Sequence, residues 1–362
     1  MGFLTPLYPI IVDKFGLTLS LVGVVSMVAA LASALSQPFF GMLFDRFGLS
    51  ASLYLAPLLT GLLVSCLGIA PSFTVFLVLL CLGCLGSAAF HPKGASVTPT
   101  LSGSHAAVGM ALYSAGGNLG FAAGPAVMAY FISVWGFRAT PVLAVPAALV
   151  AGSLALLLPV GDLRARVARS ARISLRDLAA SGADLAMLLR LVFINFCLTV
   201  GVRTLYTFLP VDMARRGAPL TSIGALFTGM LALGAVASVF VSTLSQRTGK
   251  RVLVLVSIAL GAPLAVAGSL SFASTAGVVL VMAAGAVLTF TSPLLIVMAQ
   301  KHSGNSPAMA SSLILGLSWG LAGLAMVPLG SLGELVGIPA MMIVGGAFPL
   351  LSLVSCLRIP RD

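Results

Sequence analysis

The chain is a succession of apolar runs, each about twenty residues long, separated by short polar breaks such as "GMLFDRFG" at 41–48 and "STLSQRTGKR" at 242–251. Wound as a helix at 1.5 Å per residue, a run of that length crosses the ~30 Å hydrocarbon core of a bilayer. With 59% hydrophobic and only 7% charged residues, the chain cannot be a water-soluble globule. It reads as an all-α polytopic membrane protein. Glycine and proline inside the runs are compatible with this, because neighbouring membrane helices re-satisfy a broken backbone.

The breaks place complete spans at Leu19–Leu43, Leu53–Ala70, Phe73–His91 or beyond, Val108–Ile132, Ala139–Val160, Leu188–Val211, Ser222–Leu244, Val252–Leu270, Ala276–Met298, Met309–Leu332 and Ile338–Leu357. Ahead of them stands "MGFLTPLYPIIV". Its twelve residues cover roughly 18 Å and read as the outer part of a first helix, truncated at its cytoplasmic end. With no basic n-region and no small-residue cleavage site, it does not resemble a signal peptide.

Charge orients the chain. Of its 19 basic residues, Lys14, Arg138, Arg215 and Arg216 fall on one side and Arg203 lies within a helix; the rest fall on the other side. The positive-inside rule then puts both ends in the cytoplasm and calls for an even number of helices, namely twelve. The net charge of +11 follows from this topology, so no nucleic-acid partner is expected. The expected setting is a cell inner membrane.

The longest polar stretch, "GDLRARVARSARISLRDLAASGAD" at Gly161–Asp184, is basic and suited to lie on anionic headgroups. It divides the chain into an N-terminal helix bundle at 1–160, a cytoplasmic linker at 161–187 and a C-terminal bundle at 188–362. The halves resemble each other. Arg46 and Arg247 correspond at an offset of 201, and Gly117, Gly120 and Pro125 of "GNLGFAAGP" match Gly320, Gly323 and Pro328 of "GLAGLAMVP" at an offset of 203. A parallel repeat of six helices is the arrangement in which two bundles rock about a central site.

These motifs carry a family resemblance. The "GxxxDRxG" pattern after the second helix is similar to the loop signature of the major facilitator superfamily, and "GxxxGP" in the fifth resembles its antiporter-associated motif. "FHPKGAS", "ALYSAGGNLGFAAGP" and "YTFLPVDMARRG" look like the fosmidomycin-resistance branch of drug exporters. The resemblance implies a twelve-helix fold, alternating access and, usually, proton-coupled export of small molecules by a monomer.

It also implies roles for particular residues. Asp45 and Arg46, between Gly41 and Gly48, would latch the two bundles in one state of the cycle; Arg247 is the second-half counterpart, with Gln246 replacing the acid. The alternative is that these are loop charges that fix topology. Gly117, Gly120, Gly124 and Pro125 would let helices pack closely and rock, with Pro125 interrupting the backbone ladder.

Arg203 is the sharpest single residue. Counted back from Val211 it lies about 12 Å inside the membrane, where a charge is costly and must face a wet cavity or a partner, unless it snorkels to the headgroups. Asp212 is the nearest acid in sequence but stands about 13 Å away along the helix. His91 and Lys93 sit either at the cytoplasmic boundary or, if the helix continues past Pro92 through Gly94–Leu101, in the cavity between the bundles. There His91 could carry a proton and Lys93 could attract an anion. With Arg203, the pathway would be positive and suited to an anionic, phosphonate-like substrate.

Other chemistry is thin. "CLGC" at Cys81 and Cys84 lies in an apolar run and reads as packing, and no metal site or cofactor is expected. Without a nucleotide-binding loop or catalytic triad the chain is read as neither an ATP-driven pump nor an enzyme. A secondary transporter leads; its rival is a transport-inactive sensor or scaffold on the same fold.

Overall fold

Helices make up every regular element among the described residues, which in the computed structural model are 2–34, 36–37, 39–40, 51–158, 184–272, 274–304 and 307–360. In chain order they are α1 (Leu7–Phe15), α2 (Leu19–Ala34), α3 (Ser52–Ser65), α4 (Phe73–Ser102), α5 (Ala106–Trp135), α6 (Ala144–Leu157), α7 (Leu185–Arg215), α8 (Leu220–Thr248), α9 (Lys250–Leu270), α10 (Thr275–Thr289), α11 (Ser292–Lys301), α12 (Pro307–Ser312), α13 (Ser318–Val336), α14 (Ile338–Ala347) and α15 (Leu353–Leu357). Short 3₁₀ or π turns join several of them into longer rods.

Among the described residues ten such rods, from Ser52–Ile69 to Ile338–Leu357, are long and apolar enough to cross a membrane, and each overlaps an interval expected from the sequence. The shorter apolar helix α2 begins at the expected Leu19. Several rods outrun the apolar intervals: Leu220–Thr248 replaces Ser222–Leu244, and Phe73–His105 takes the longer of the two alternatives left open at His91. Hydropathy marks only the apolar middle of a helix, whereas the hydrogen-bond ladder runs on until something stops it. Gly103 (φ 54°) ends α4 and Gly249 (φ 79°) ends α8, each in a positive-φ conformation that a side chain would disfavour.

Local signals set the starts. Ser72 accepts the Val75 N–H at the head of α4, Asp184 accepts the Met187 N–H at the head of α7, and Ser274 accepts the Gly277 N–H at the head of α10. Asp45 and Arg46, with Gly41 and Gly48, lie outside the described residues, as does nearly all of the expected linker; Asp184 and the first turn of α7 are described.

Two compact units form. The first comprises Met1–Met27, Phe121–Tyr130 and Ile173–Asp362. At its centre runs α7, the most buried of the spans, packed against α13, α14, α10 and α1. Two threonines of α7 are satisfied by their own helix: Thr199 donates to the Asn195 carbonyl at 2.6 Å and Thr204 to the Val200 carbonyl at 2.8 Å. The second unit, Val28–Gly120 with Phe131–Arg172, is built on α3 packed against α4 and α6. Small residues bring its helices together: a methyl on Gly86 would lie 2.5 Å from the Thr60 hydroxyl oxygen. Outward-facing leucines such as Leu156, 89% exposed, and Leu335, 84% exposed, form an apolar exterior suited to lipid tails.

Candidate functional site: a mid-helix arginine held by serine and tryptophan

The helix carrying Arg203 runs Leu185–Arg215, so Arg203 stands twelve residues, about 18 Å, from its nearer end. Snorkelling over that distance is beyond an arginine side chain, and the structure gives the guanidinium local partners instead. Its Nη2 donates to the Ser26 carbonyl at 2.8 Å and to the Ser26 hydroxyl at 2.7 Å, and its Cζ stands 5.6 Å from the Trp319 ring centroid. Both contacts suit a cation: the bonds to Ser26 are charge-assisted, and the tryptophan face attracts positive charge.

One further bond orders Ser26: its hydroxyl also meets Thr207, one turn along α7 from Arg203, at 3.0 Å. Ser26 is 1% exposed, so its two contacts hold α2 against α7 where water is excluded. The Tyr8 phenol of α1 lies within electrostatic reach of Arg203. Trp319 is placed by a π-helical turn at Leu313–Leu317 just before α13. Such a turn loosens the helical ladder, and the buried Asn195 side chain donates to the Ile314 carbonyl at 2.8 Å, while Ser318 donates back to the Val192 carbonyl at 3.1 Å.

Arg203 Nε is buried and has no hydrogen-bond partner among the described residues. An uncompensated, buried N–H on a cation is costly, and an acceptor oxygen supplied by a ligand would satisfy it. Asp212 is not its partner: that carboxylate pairs with Arg216 Nε at 2.8 Å, one turn along the same helix.

His91 and Lys93 belong to the second unit. Here α4 continues through Pro92 to Ser102, so the helical alternative is the one observed. Lys93 is buried at 6% exposure, whereas His91 is exposed. The Tyr113 hydroxyl of α5 donates to the His91 carbonyl at 3.3 Å and stands 3.5 Å from His91 Nδ1. A methyl on Gly94 would come 2.9 Å from that hydroxyl, so Gly94 gives Tyr113 its room.

Arg247 is exposed in the last turn of α8, where a cation suits the helix dipole. Gly117 and Gly120 are exposed, and a methyl on either would meet nothing within 4 Å. Gly124 differs: a methyl there would lie 3.1 Å from the Phe3 amide nitrogen, and Pro125 beside it is buried. Gly320 and Gly323 are buried in α13, and Pro328 is exposed on it.

Sequence reasoning missed Ser26, Thr207, Trp319 and Asn195. Only Asn195 carried a signal, an amide in the middle of an apolar run. It also missed Gly23 and Gly330, where methyls would collide with the backbone of Met326 and of Leu19.

An all-helical fold whose described residues include ten spans long and apolar enough to cross a membrane, with a half-buried arginine midway along its most buried helix, is that of a polytopic membrane protein. The sequence model of the Major Facilitator Superfamily matches residues 1–325, and the chain belongs to that superfamily. It is 28% identical to YfnC, an uncharacterized MFS-type transporter of Bacillus subtilis (strain 168), over 98% of this chain and 88% of that one. It is 25% identical to the fosmidomycin resistance protein of Escherichia coli (strain K12), over 96% and 86%. Among solved structures it resembles a mutant of the nucleoside transporter NupG (TM-score 0.77, 12% identity, 98% of this chain and 94% of that one). It also resembles a bacterial homologue of the human lysosomal transporter Spinster, inward-facing and occupied (TM-score 0.70, 18% identity, 98% and 92%). The chain is thus a multi-pass membrane transporter of small molecules and not an enzyme.

Proposed function

We propose that this transporter exports a small anionic molecule by alternating access, driven by the proton gradient across a bacterial inner membrane. The observation that carries the reading is Arg203, a guanidinium held between Ser26 and Trp319 with its Nε left without an acceptor. A carboxylate or phosphonate oxygen would complete its hydrogen bonding, and the tryptophan ring would shelter an apolar body attached to that anion. The likeness to a fosmidomycin resistance protein supports a phosphonate as the first substrate to test.

In this reading the two halves, 1–160 and 188–362, rock about the central site and are tethered by the basic segment at 161–187, with both ends of the chain in the cytoplasm. Lys93 adds positive charge along the path and His91 carries the proton. Asp45 and Arg46, with Arg247 in the second half, act as gating charges, and the glycines at Gly117, Gly120, Gly124, Gly320 and Gly323 serve the rocking surface. The working unit is a monomer.

The test is flux of labelled fosmidomycin in proteoliposomes of the purified chain under an imposed pH gradient. Gradient-dependent flux that a protonophore abolishes, and that Arg203→Ala lowers at least about tenfold through loss of a ligand-ready cation, is the expected result. Flux indifferent to both would overturn the reading.

A further inference from the structure

At the end of the first unit where α7 begins and α11 finishes lies a cavity of about 200 Å³, lined by Met187, Lys250, Val297, Met298, Lys301, His302, Ile359 and Pro360. It is much larger than a single water needs. Two features separate it from an ordinary positive loop. First, its cations come from different elements and converge: Lys250 is the first residue of α9 and Lys301 the last of α11. Second, the remaining wall is largely apolar, supplied by Met187, Val297, Met298 and Ile359.

The surrounding electrostatics favour an anion. Arg190, one turn along α7 from Met187, donates to the Arg358 carbonyl at 3.2 Å and so holds a second pair of guanidinium-bearing residues at the same end. Among the described residues the acid at this end is Asp184, and its carboxylate is already engaged: it accepts the Met187 N–H at 2.9 Å and lies 4.0 Å from His302 Nδ1. The head of α9 adds to the field, because its capping residue Gly249 has no side chain to accept first-turn N–H groups.

We propose that this pocket binds the phosphate of an anionic phospholipid, with the phosphodiester between Lys250 and Lys301 and the glycerol and first methylenes against Met298, Val297 and Ile359. A phosphate with an attached apolar tail uses both halves of the wall, whereas a free inorganic anion uses only the lysines. The location agrees: the spans Leu185–Arg215, Lys250–Leu270, Thr275–Lys301 and Ile338–Leu357 all have an end here, which is the depth of a headgroup.

The experiment uses the full chain, delipidated in detergent. Phosphatidylglycerol or phosphatidylcholine is added back, and bound lipid is counted by native mass spectrometry while thermal unfolding is followed in parallel. The wild type is expected to retain phosphatidylglycerol about tenfold better than phosphatidylcholine. The pair K250Q/K301Q is expected to lose that preference and K250R/K301R to keep it, with Arg138→Gln in the other unit as an unaffected control. Absence of a preference in the wild type, or its survival in the glutamine pair, overturns the proposal. Should the glutamine pair fail to elute as a single species, the wild-type preference and the arginine pair decide the matter. A third arm adds inorganic phosphate at millimolar concentration. If it stabilises the wild type as much as the lipid does, and displaces the lipid, the site is one for soluble phosphate and the lipid assignment falls.

Discussion

Ser20, in the first turn of α2, gives its backbone N–H to the Glu334 carboxylate of α13 at 2.7 Å, and its hydroxyl meets that of Ser331 at 2.9 Å. A carboxylate at a helix head satisfies an orphan N–H and complements the dipole, so the end of α13 caps the start of α2. The same two helices approach so closely that a methyl on Gly23 would lie 2.7 Å from the Met326 carbonyl carbon. If transport requires this contact to open, a bond across it should arrest the cycle. The double variant Ser20→Cys/Ser331→Cys is expected to form a disulfide under mild oxidant and to lose most flux, which returns on reduction. Undiminished flux in the oxidised protein, with the disulfide verified by mass, would show that the contact stays closed throughout.

Close approach at Gly23 makes a stability prediction of its own. The atoms in the way are backbone and cannot rotate aside, so Gly23→Ala must push α2 from α13. Overpacking of that kind costs about 1–3 kcal/mol. Gly152→Ala should be neutral, because a methyl there meets nothing within 4 Å. Thermal unfolding of the two variants side by side checks both halves of the statement.

The amide of Asn195 serves a carbonyl that a regular helix would have used internally. Asn195→Leu removes the donor to Ile314 while keeping apolar bulk, and a loss of about 1 kcal/mol is expected, in the range measured for polar contacts between membrane helices. Because the π turn it supports leads into Trp319, the same change should also weaken substrate binding. A stability loss with substrate affinity unaltered would detach the turn from the site.

In the second unit, Thr140 is 2% exposed, donates to the Ser65 carbonyl at 2.7 Å and accepts the Gly68 N–H at 3.1 Å. Thr140→Val is close to isosteric and removes both of these hydrogen bonds, at a cost of about 1–3 kcal/mol. Amide exchange at Gly68 should quicken in step. Protection as strong as in the wild type would mean that another group takes over the bond.

Much of this molecule was readable in one dimension. A span is a local property: twenty apolar residues must become a helix in lipid because nothing else satisfies the backbone there, so eleven starting points from Leu19 to Ile338 emerged within a few residues. The anomaly at Arg203 was local as well, a charge where hydrocarbon was expected. The helix that carries it runs on past the apolar stretch to Arg215, because the hydrogen-bond ladder continues through polar residues that hydropathy does not count.

What Arg203 touches was not readable. Ser26 is 177 positions away in the chain and Trp319 lies more than a hundred residues beyond Arg203 on the other side, and no sequence spacing ties either one to it. Serine and tryptophan are unremarkable in membrane helices until folding sets them against a cation. The same holds for the lysine-lined pocket, where Lys250 and Lys301 each look like a topological charge until two helix ends meet. Sequence determined which segments cross the membrane, since that depends on each residue's own transfer free energy. Tertiary packing decided which buried polar groups find partners and which, like Arg203 Nε, have none among the described residues, since that depends on distances between helices remote in sequence.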